Sequence, residues 1–376
     1  MSTHDPGGRV PIRWGVLGTG SIARLFARDL EALAGAQLVA VASRSRERAE
    51  AFGREFGIPH RFGSYADLAG APMVDVVYIA TPASAHRDNT LLCLEAGKAV
   101  LCEKPFTVDA GQAREVVAAA RRHGRFLMEA MWTRFLPATV KLRELLAAGA
   151  IGDVRCLIAD LGSPTHTTPK ARLLSPELGG GALLQRGIYL VSLASMILGG
   201  PDQVTSMAAA GPTGVDEQAG VLLGYQGGQH AMLLCSLRVR TSREATVVGT
   251  AGQIRIHAPV VCPSRLTLRQ HREDPPAGGE PGRSHAARER LIHYGKRSRL
   301  LRRLRERYSS LGERLVYGIR TKVIPAPVVG EGLWYQAAEV MQCLRAGHGE
   351  SAIMPLDESV AIMETVDRIR SQWGVR

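Results

Sequence analysis

The sequence lacks long charge-free runs, and no segment is expected to cross a bilayer. Its longest stretch without Asp, Glu, Lys or Arg, 218–237, is broken by Gly220, Gly224, Gly227, Gly228 and His230, and the next, 187–201, is too short. The first ten residues lack the apolar core of a secretory signal, and the six cysteines are scattered with no Cys-x-x-Cys spacing. These absences predict mostly buried, reduced thiols and a cytoplasmic protein. No group of His, Cys and Asp has ligand spacing, so no metal is expected. No internal repeat is visible. Ordinary proportions of hydrophobic (45%) and charged (22%) residues argue against wholesale disorder or a fibrous array.

What is present is enough chain for two domains, at 376 residues. The net charge of +12 would suggest nucleic acid if it covered a whole face, but it does not. Between Arg283 and Lys322 stand thirteen Lys and Arg against three acids, Glu289, Glu306 and Glu313, and the rest of the chain is nearly neutral. No nucleic-acid partner is expected.

The first 130 residues alternate short β-branched runs (12–17, 37–43, 74–80, 98–102 and 126–128) with amphipathic stretches (21–33, 46–56, 84–96 and 109–123). That is the pattern of βαβ units around a buried parallel sheet. From 131 onward, after an amphipathic helix near 133–148, seven strand-like runs between 151 and 270 surround one helical stretch, 182–198. Gly227-Gly228 marks a hairpin, and two amphipathic segments, 332–346 and 357–372, close the chain, the second with a cap expected near Asp357. The fold class expected is α/β: a doubly wound parallel Rossmann sheet over 1–130, then an α+β substrate-binding and oligomerisation domain over 131–376 with a large, open, mostly antiparallel sheet.

Directly after the first strand stands Gly18-Thr19-Gly20-Ser21-Ile22-Ala23, the Gly-x-Gly-x-x-Ala form of the dinucleotide fingerprint. The first glycine makes the turn, the second lets a pyrophosphate approach the backbone, and the small third residue lets helix and strand pack closely. At the end of the second strand an NAD site usually places an acid for the ribose hydroxyls; this chain has Ser43-Arg44-Ser45-Arg46. Ser43 can bond a 2′-phosphate and Arg44 can stack on adenine while meeting that phosphate, which favours NADP(H). The competing reading makes Arg44 a solvated arginine at a helix start.

Farther along come Ala80-Thr81-Pro82 with His86, and Glu95-Ala-Gly97-Lys98 leading to Glu103-Lys104-Pro105. With the fingerprint, these resemble the glucose–fructose oxidoreductase/inositol dehydrogenase (Gfo/Idh/MocA) family, whose Glu-Lys-Pro triplet is its most specific mark. The resemblance continues through Met128–Phe135, Gly179–Tyr189 and Glu350–Pro355, covering nearly all of the chain except about 280–325. The Trp-Thr-Arg-Phe and Gly-Ile-Tyr segments look most like its dimeric dihydrodiol dehydrogenase and sugar dehydrogenase branch. The resemblance implies hydride transfer between NADP(H) and a carbinol carbon of a sugar, cyclic polyol or trans-dihydrodiol, and a homo-oligomer built through the C-terminal sheet. Gly18, Gly20, Ser21, Ile22, Ala23, Ser43, Arg44, Thr81, Pro82, His86, Glu103 and Lys104 would then face the cofactor.

Lys104 also has independent support. A lysine at the carboxyl end of a parallel strand faces the crevice where such sheets bind ligands, and an ammonium beside a cationic nicotinamide is pushed toward its basic form. It is the expected catalytic base, with Tyr189 assisting; a solvated strand-end lysine and a half-buried helix tyrosine are the structural alternatives. The family carries Asp-x-Gly-x-Tyr where this chain has Gln185-Arg186-Gly187-Ile188-Tyr189. Glutamine cannot carry the negative charge, and Arg186, turned about 100° from that face, is expected to bond elsewhere. Losing the acid leaves a second reading open, a noncatalytic NADP(H)-binding sensor or scaffold.

Weaker substrate-site candidates are Trp132, Arg134, Phe135 and Arg172. Trp132 and Phe135 either wall the pocket or fill the domain junction. His166 and Arg172 sit in a Thr- and Pro-rich loop and are read first as solvated, as His86 is read equally as structural. In the basic insertion, 286–322, Leu301, Leu304, Tyr308, Leu311 and Leu315 form one apolar stripe on a cationic helix. It is read first as covering sheet or subunit surface, and otherwise as touching an anionic surface such as membrane or nucleic acid or as a mobile excursion. The strict stripe makes the last of these the poorest reading, and membrane contact is not expected.

Overall fold

The computed structural model describes residues 10–164, 172–271 and 319–373. His166 and the Leu301–Leu315 stripe lie outside them.

The chain opens with β1 (Ile12–Leu17), α1 (Ser21–Glu31), β2 (Ala36–Ala42), α2 (Arg46–Glu55), β3 (His60–Phe62), α3 (Tyr65–Ala69) and β4 (Val76–Ile79). It continues through α4 (His86–Glu95), β5 (Ala99–Glu103), α5 (Ala110–His123) and β6 (Leu127–Ala130). All six strands are parallel, in the order β3-β2-β1-β4-β5-β6, the doubly wound arrangement with its crevice at the reversal between β1 and β4. Val76-Val-Tyr-Ile79 is buried throughout, as a strand covered on both faces must be. Beneath it Phe26 stacks on Tyr78 with ring centroids 3.8 Å apart. β3 and α3 were absent from the sequence expectation: three residues, His-Arg-Phe, and a five-residue helix are too short to show a period.

The second half contains α6 (Pro137–Ala147), β7 (Val154–Gly162), a π-helical turn (Leu183–Gly187) running into α7 (Ile188–Leu198), β8 (Gln203–Ala210), β9 (Asp216–Gly224) and β10 (His230–Ser236). After these come β11 (Ala245–Gly249), β12 (Gly252–Ile256), β13 (Arg265–Gln270), β14 (Arg320–Pro325), α8 (Trp334–Ala346) and α9 (Leu356–Arg370). The sheet order is β14-β13-β12-β11-β7-β10-β9-β8, antiparallel except for β7 beside β10. At the β9–β10 hairpin Gly228 takes φ +75°, the left-handed value the turn requires. Arg320 and Lys322, assigned by sequence to the basic insertion, instead form the edge strand β14. The long helical stretch Pro176–Leu198 is apolar enough to span a membrane by length and composition, but 61% of its apolar window is buried inside the protein.

Among the described residues, no element covers one face of this sheet. Its register sets Val323, Thr267, Arg255, Thr246, Ile158, Met232, Leu222 and Thr205 in one row across all eight strands. Ile158, Met232 and Leu222, at its centre, are 48%, 44% and 42% exposed.

The last two helices return to the first sheet. Asp29 of α1, buried, accepts the N–H groups of Glu331, Leu333 and Trp334 at 2.8, 2.7 and 3.2 Å, holding the start of α8. α9 lies along α5: Asp367 accepts from Ala110 N–H at 2.8 Å, and Arg114–Glu364 and Arg121–Asp357 pair at 2.7 and 2.8 Å. The start expected near Asp357 is held from upstream: α9 begins after Pro355, the Glu350 carboxylate accepts the Leu356 N–H at 2.7 Å, and Asp357 stands in the first turn, where a negative charge is favourable.

Candidate active site

The β1–α1 turn is built as the fingerprint requires. Gly18 has φ +100°, and a Cβ there would lie 2.7 Å from the Ala80 carbonyl oxygen. A Cβ on Gly20 would meet nothing within 4 Å, because Gly20 faces open cleft, and Ala23 is fully buried where α1 meets the sheet. The cleft encloses about 810 Å³ and is lined by Gly18, Gly20, Ser21, Ile22, Ser43, Arg44, Thr81 and Pro82. Arg24, Ser45, Arg48 and Tyr65, which sequence reasoning missed, and Arg172, expected toward substrate, line it too. Tyr65 hydrogen-bonds Arg44. Four arginines, no carboxylate and a helix start with no acid in its first turn make a cleft fitted to a phosphorylated dinucleotide.

Lys104 stands just past the end of β5. Its Nζ donates to the Gln185 carbonyl oxygen at 3.2 Å and lies 4.5 Å from the centre of the Tyr189 ring. Burial disfavours the ammonium and Arg172 and Arg186 repel it, while Glu103 opposes them; the balance brings its pKa down to about 8. Glu103 is buried and accepts from the Tyr78 hydroxyl at 2.5 Å and the Lys104 N–H at 3.2 Å. Burial pushes its carboxyl upward, and those donors and Lys104 pull against this. Glu129, also buried, accepts from Phe106 N–H at 3.2 Å and so pins the turn after Lys104 from behind, with its pKa raised by burial to about 7.

The Tyr189 hydroxyl accepts from Trp132 Nε1 at 3.2 Å, so one lone pair is occupied, and among the described residues its own O–H meets no acceptor. Burial, then Glu103, raises its pKa far above the usual phenol value. Trp132 thus belongs to the Lys104–Tyr189 group.

Other candidates lie elsewhere. Arg134 is 3% exposed and uses all five N–H groups: Nε to Ser192 Oγ (3.0 Å), Nη1 to Ile353 O and Glu358 (3.3 and 2.8 Å), Nη2 to Ser192 O and Glu358 (2.9 and 2.6 Å). No donor is left for a substrate; Arg134 ties the 132–135 turn to α7 and α9. Phe135 is buried in the hydrophobic core, the second of its two expected places. His86 is buried behind the cleft wall, its Nδ1 2.8 Å from Pro105 O and its Nε2 3.0 Å from Thr81 O. Burial lowers its pKa to about 4, so the ring is neutral and its single N–H satisfies one of the two carbonyls.

Gln185 sends its side chain away from Lys104, Nε2 donating to Gly179 O at 2.7 Å; its carbonyl oxygen is what Lys104 meets. Arg186 lies on the same π turn; its charge acts on both Lys104 and Tyr189, and its buried Nε has no hydrogen-bond partner among the described residues.

Comparison with known proteins agrees with this arrangement. Residues 12–131 match the sequence model of an oxidoreductase family with an NAD-binding Rossmann fold, and 139–255 match the GFO/IDH/MocA C-terminal domain. Human trans-1,2-dihydrobenzene-1,2-diol dehydrogenase is 36% identical over 374 residues, and the mouse protein of that name 38% over 376, with 97% of each chain covered in both cases. A 3-ketoreductase from Actinomadura kijaniata, solved with NADP and TDP-benzene, is 25% identical, with a TM-score of 0.75 over 96% of this chain and 97% of that one. An aldose–aldose oxidoreductase from Caulobacter crescentus shares the fold, at a TM-score of 0.77 and 23% identity over 96% of this chain and 97% of that one. A parallel sheet with its phosphate turn, an open antiparallel sheet beside it and a lysine where the two meet are therefore found in a chain that belongs to the glucose–fructose oxidoreductase/inositol dehydrogenase (GFO/IDH/MocA) family of oxidoreductases.

Proposed function

We propose that the protein is an NADP(H)-dependent dehydrogenase acting on a CH–OH group of a sugar, a cyclic polyol or a trans-dihydrodiol. The observation that carries the reading is Lys104: an amine held against the Gln185 carbonyl and the Tyr189 ring, with a pKa near 8, at the carboxyl end of a strand beside an arginine-lined cleft. The named activities of the dihydrodiol dehydrogenases and the ketoreductase support the substrate classes. Ser43 and Arg44, with Tyr65 steadying the guanidinium, support a 2′-phosphate and hence NADP(H) over NAD(H).

A bound nicotinamide supplies the hydride acceptor in oxidation and the hydride donor in reduction. Lys104 handles the other half of the balance: in oxidation its neutral amine takes the hydroxyl proton as the carbinol C–H is lost as hydride, and in reduction its ammonium returns that proton to the new alkoxide oxygen. Tyr189, its lone pair filled by Trp132, directs its O–H to the same substrate oxygen. In this reading residues 1–130 carry the cofactor and 131–376 the substrate, and two copies associate through the open sheet, burying Ile158, Met232 and Leu222. A polyol, sugar and dihydrodiol panel followed by NADPH absorbance tests the function. Turnover that disappears in Lys104→Met supports it, and tight NADP(H) binding with no hydride exchange across the panel favours a noncatalytic sensor or scaffold.

A further inference from the structure

The helix start that reaches Lys104 carries more positive charge than oxidising a neutral polyol requires. Arg186 immediately follows Gln185, whose carbonyl is 3.2 Å from Lys104 Nζ, and precedes by three residues Tyr189, whose ring centre is 4.5 Å from the same atom. The carbonyl that Lys104 meets belongs to the peptide bond joining Gln185 to Arg186, so Arg186 begins beside the reacting pair whatever the pitch of the turn. It is half-buried, its Nε is shielded from solvent with no hydrogen-bond partner, and among the described residues no carboxylate pairs with it. A guanidinium presents a fixed fork of donors matched to carboxylate or phosphate oxygens, and leaving a buried donor unmade is costly. Glu103, the acid beside Lys104, is committed to the Tyr78 hydroxyl and the Lys104 N–H. Arg172 adds a further charge from the cofactor side of the cleft.

We infer that Arg186 is a substrate-binding residue and that the substrate carries an anionic group, a carboxylate or a phosphate, close to the carbinol that is oxidised. With the Gln185 side chain turned onto Gly179, only its backbone carbonyl meets Lys104, and the cation of Arg186 stands next to it. The field of Arg186 supports this placement, since it depresses the pKa of both Lys104 and Tyr189.

The inference rests on the dehydrogenase reading, and the test separates the two. Glucose, glucuronate and glucose 6-phosphate, which share their C1 to C4 hydroxyls and differ at C6, are compared with the 376-residue protein saturated with NADP(H), by turnover and by direct titration of binding. The parent protein should favour at least one anionic member over glucose by about tenfold to a hundredfold, the range of one charge-assisted contact. Added salt should narrow that preference. Arg186→Gln should collapse the ratio of anionic to neutral specificity, chiefly through KM, and Arg186→Lys should keep part of it. The ratio is taken within one preparation, so partial misfolding does not alter it. An effect exerted only through Lys104 would change both kinds of substrate alike, and an unchanged ratio in Arg186→Gln overturns the inference, as does a parent protein with no anionic preference in turnover or binding. Selective anion binding that Arg186→Gln abolishes, with no turnover of these or of the polyol and dihydrodiol panel, upholds Arg186 as the anion-binding residue and overturns the dehydrogenase reading. Which anionic member is preferred distinguishes carboxylate from phosphate.

Discussion

Replacing Glu103 with Gln removes the one acid that most strongly supports the charged form of Lys104, while leaving an oxygen for the Tyr78 hydroxyl. With a pKa of about 8 for Lys104, roughly a tenth of the amine is neutral at pH 7. A carboxylate favours the ammonium beside it, so removing that charge must lower the lysine pKa; the neighbouring residue's charge is worth roughly one unit. About half of the amine would then be neutral at pH 7. The assay is the pH dependence of kcat/KM for oxidation, whose rising limb follows loss of the lysine proton. In Glu103→Gln that limb should move to lower pH by roughly one unit, with a lower plateau because a less basic amine is a poorer proton acceptor. The oxygen that received the Lys104 N–H is replaced by an amide on one side, so NADP(H) binding and melting serve to show that the fold is kept. A limb that stays in place or moves upward would refute both the assignment of Lys104 as the base and the account of its pKa.

Four further outcomes are expected. Lys104→Met should abolish turnover with NADP(H) affinity largely intact, measured by fluorescence titration, because the phosphates are held at the β1–α1 turn; Tyr189→Phe should lower kcat less severely. NADP(H) should bind at least about tenfold more tightly than NAD(H), and Arg44→Ala should remove most of the difference, with equal affinities in the parent protein contradicting the assignment. Arg134→Met should lower stability by about 3–5 kcal/mol in denaturant unfolding, since it strands Glu358 beside an emptied ion pair; an unchanged midpoint would show that the buried pair does little. Met232→Asp should shift an oligomer toward monomer in analytical ultracentrifugation without altering NADP(H) binding, and an unchanged mass would place any subunit contact elsewhere.

The parts of the molecule legible in the sequence are those whose constraints are local. Gly18 is needed because the turn there takes a positive φ against the Ala80 carbonyl, and that demand shows as a glycine at a fixed distance from a β-branched run. Both sheets could be anticipated because alternation and continuous burial leave different patterns along a strand. Arg134 was misjudged because its partners, Ser192, Ile353 and Glu358, are 58, 219 and 224 residues away, and nothing near it in sequence shows that its donors are used. Gln185 and Arg186 were projected onto an ideal α-helix, whereas the π turn at Leu183–Gly187 changes which backbone and side-chain groups face Lys104. Arg24, Arg48 and Tyr65 reach one cleft from three separate helices, so their convergence appears only after folding.

The clasp of Asp29 on the start of α8, with α9 laid along α5, has a consequence for synthesis. Ribosomes deliver a chain in order, and the nucleotide-binding sheet is complete in sequence by Ala130, some two hundred residues before the helices that cover its α1 and α5 sides emerge. A nascent chain in that interval exposes the sides of α1 and α5 later covered by α8 and α9, and it holds Asp29 without the backbone N–H groups that later satisfy it. The cofactor domain is thus finished only when α8 and α9 arrive, so a chain stopped before Trp334 would lose nucleotide binding some two hundred residues away from the cut.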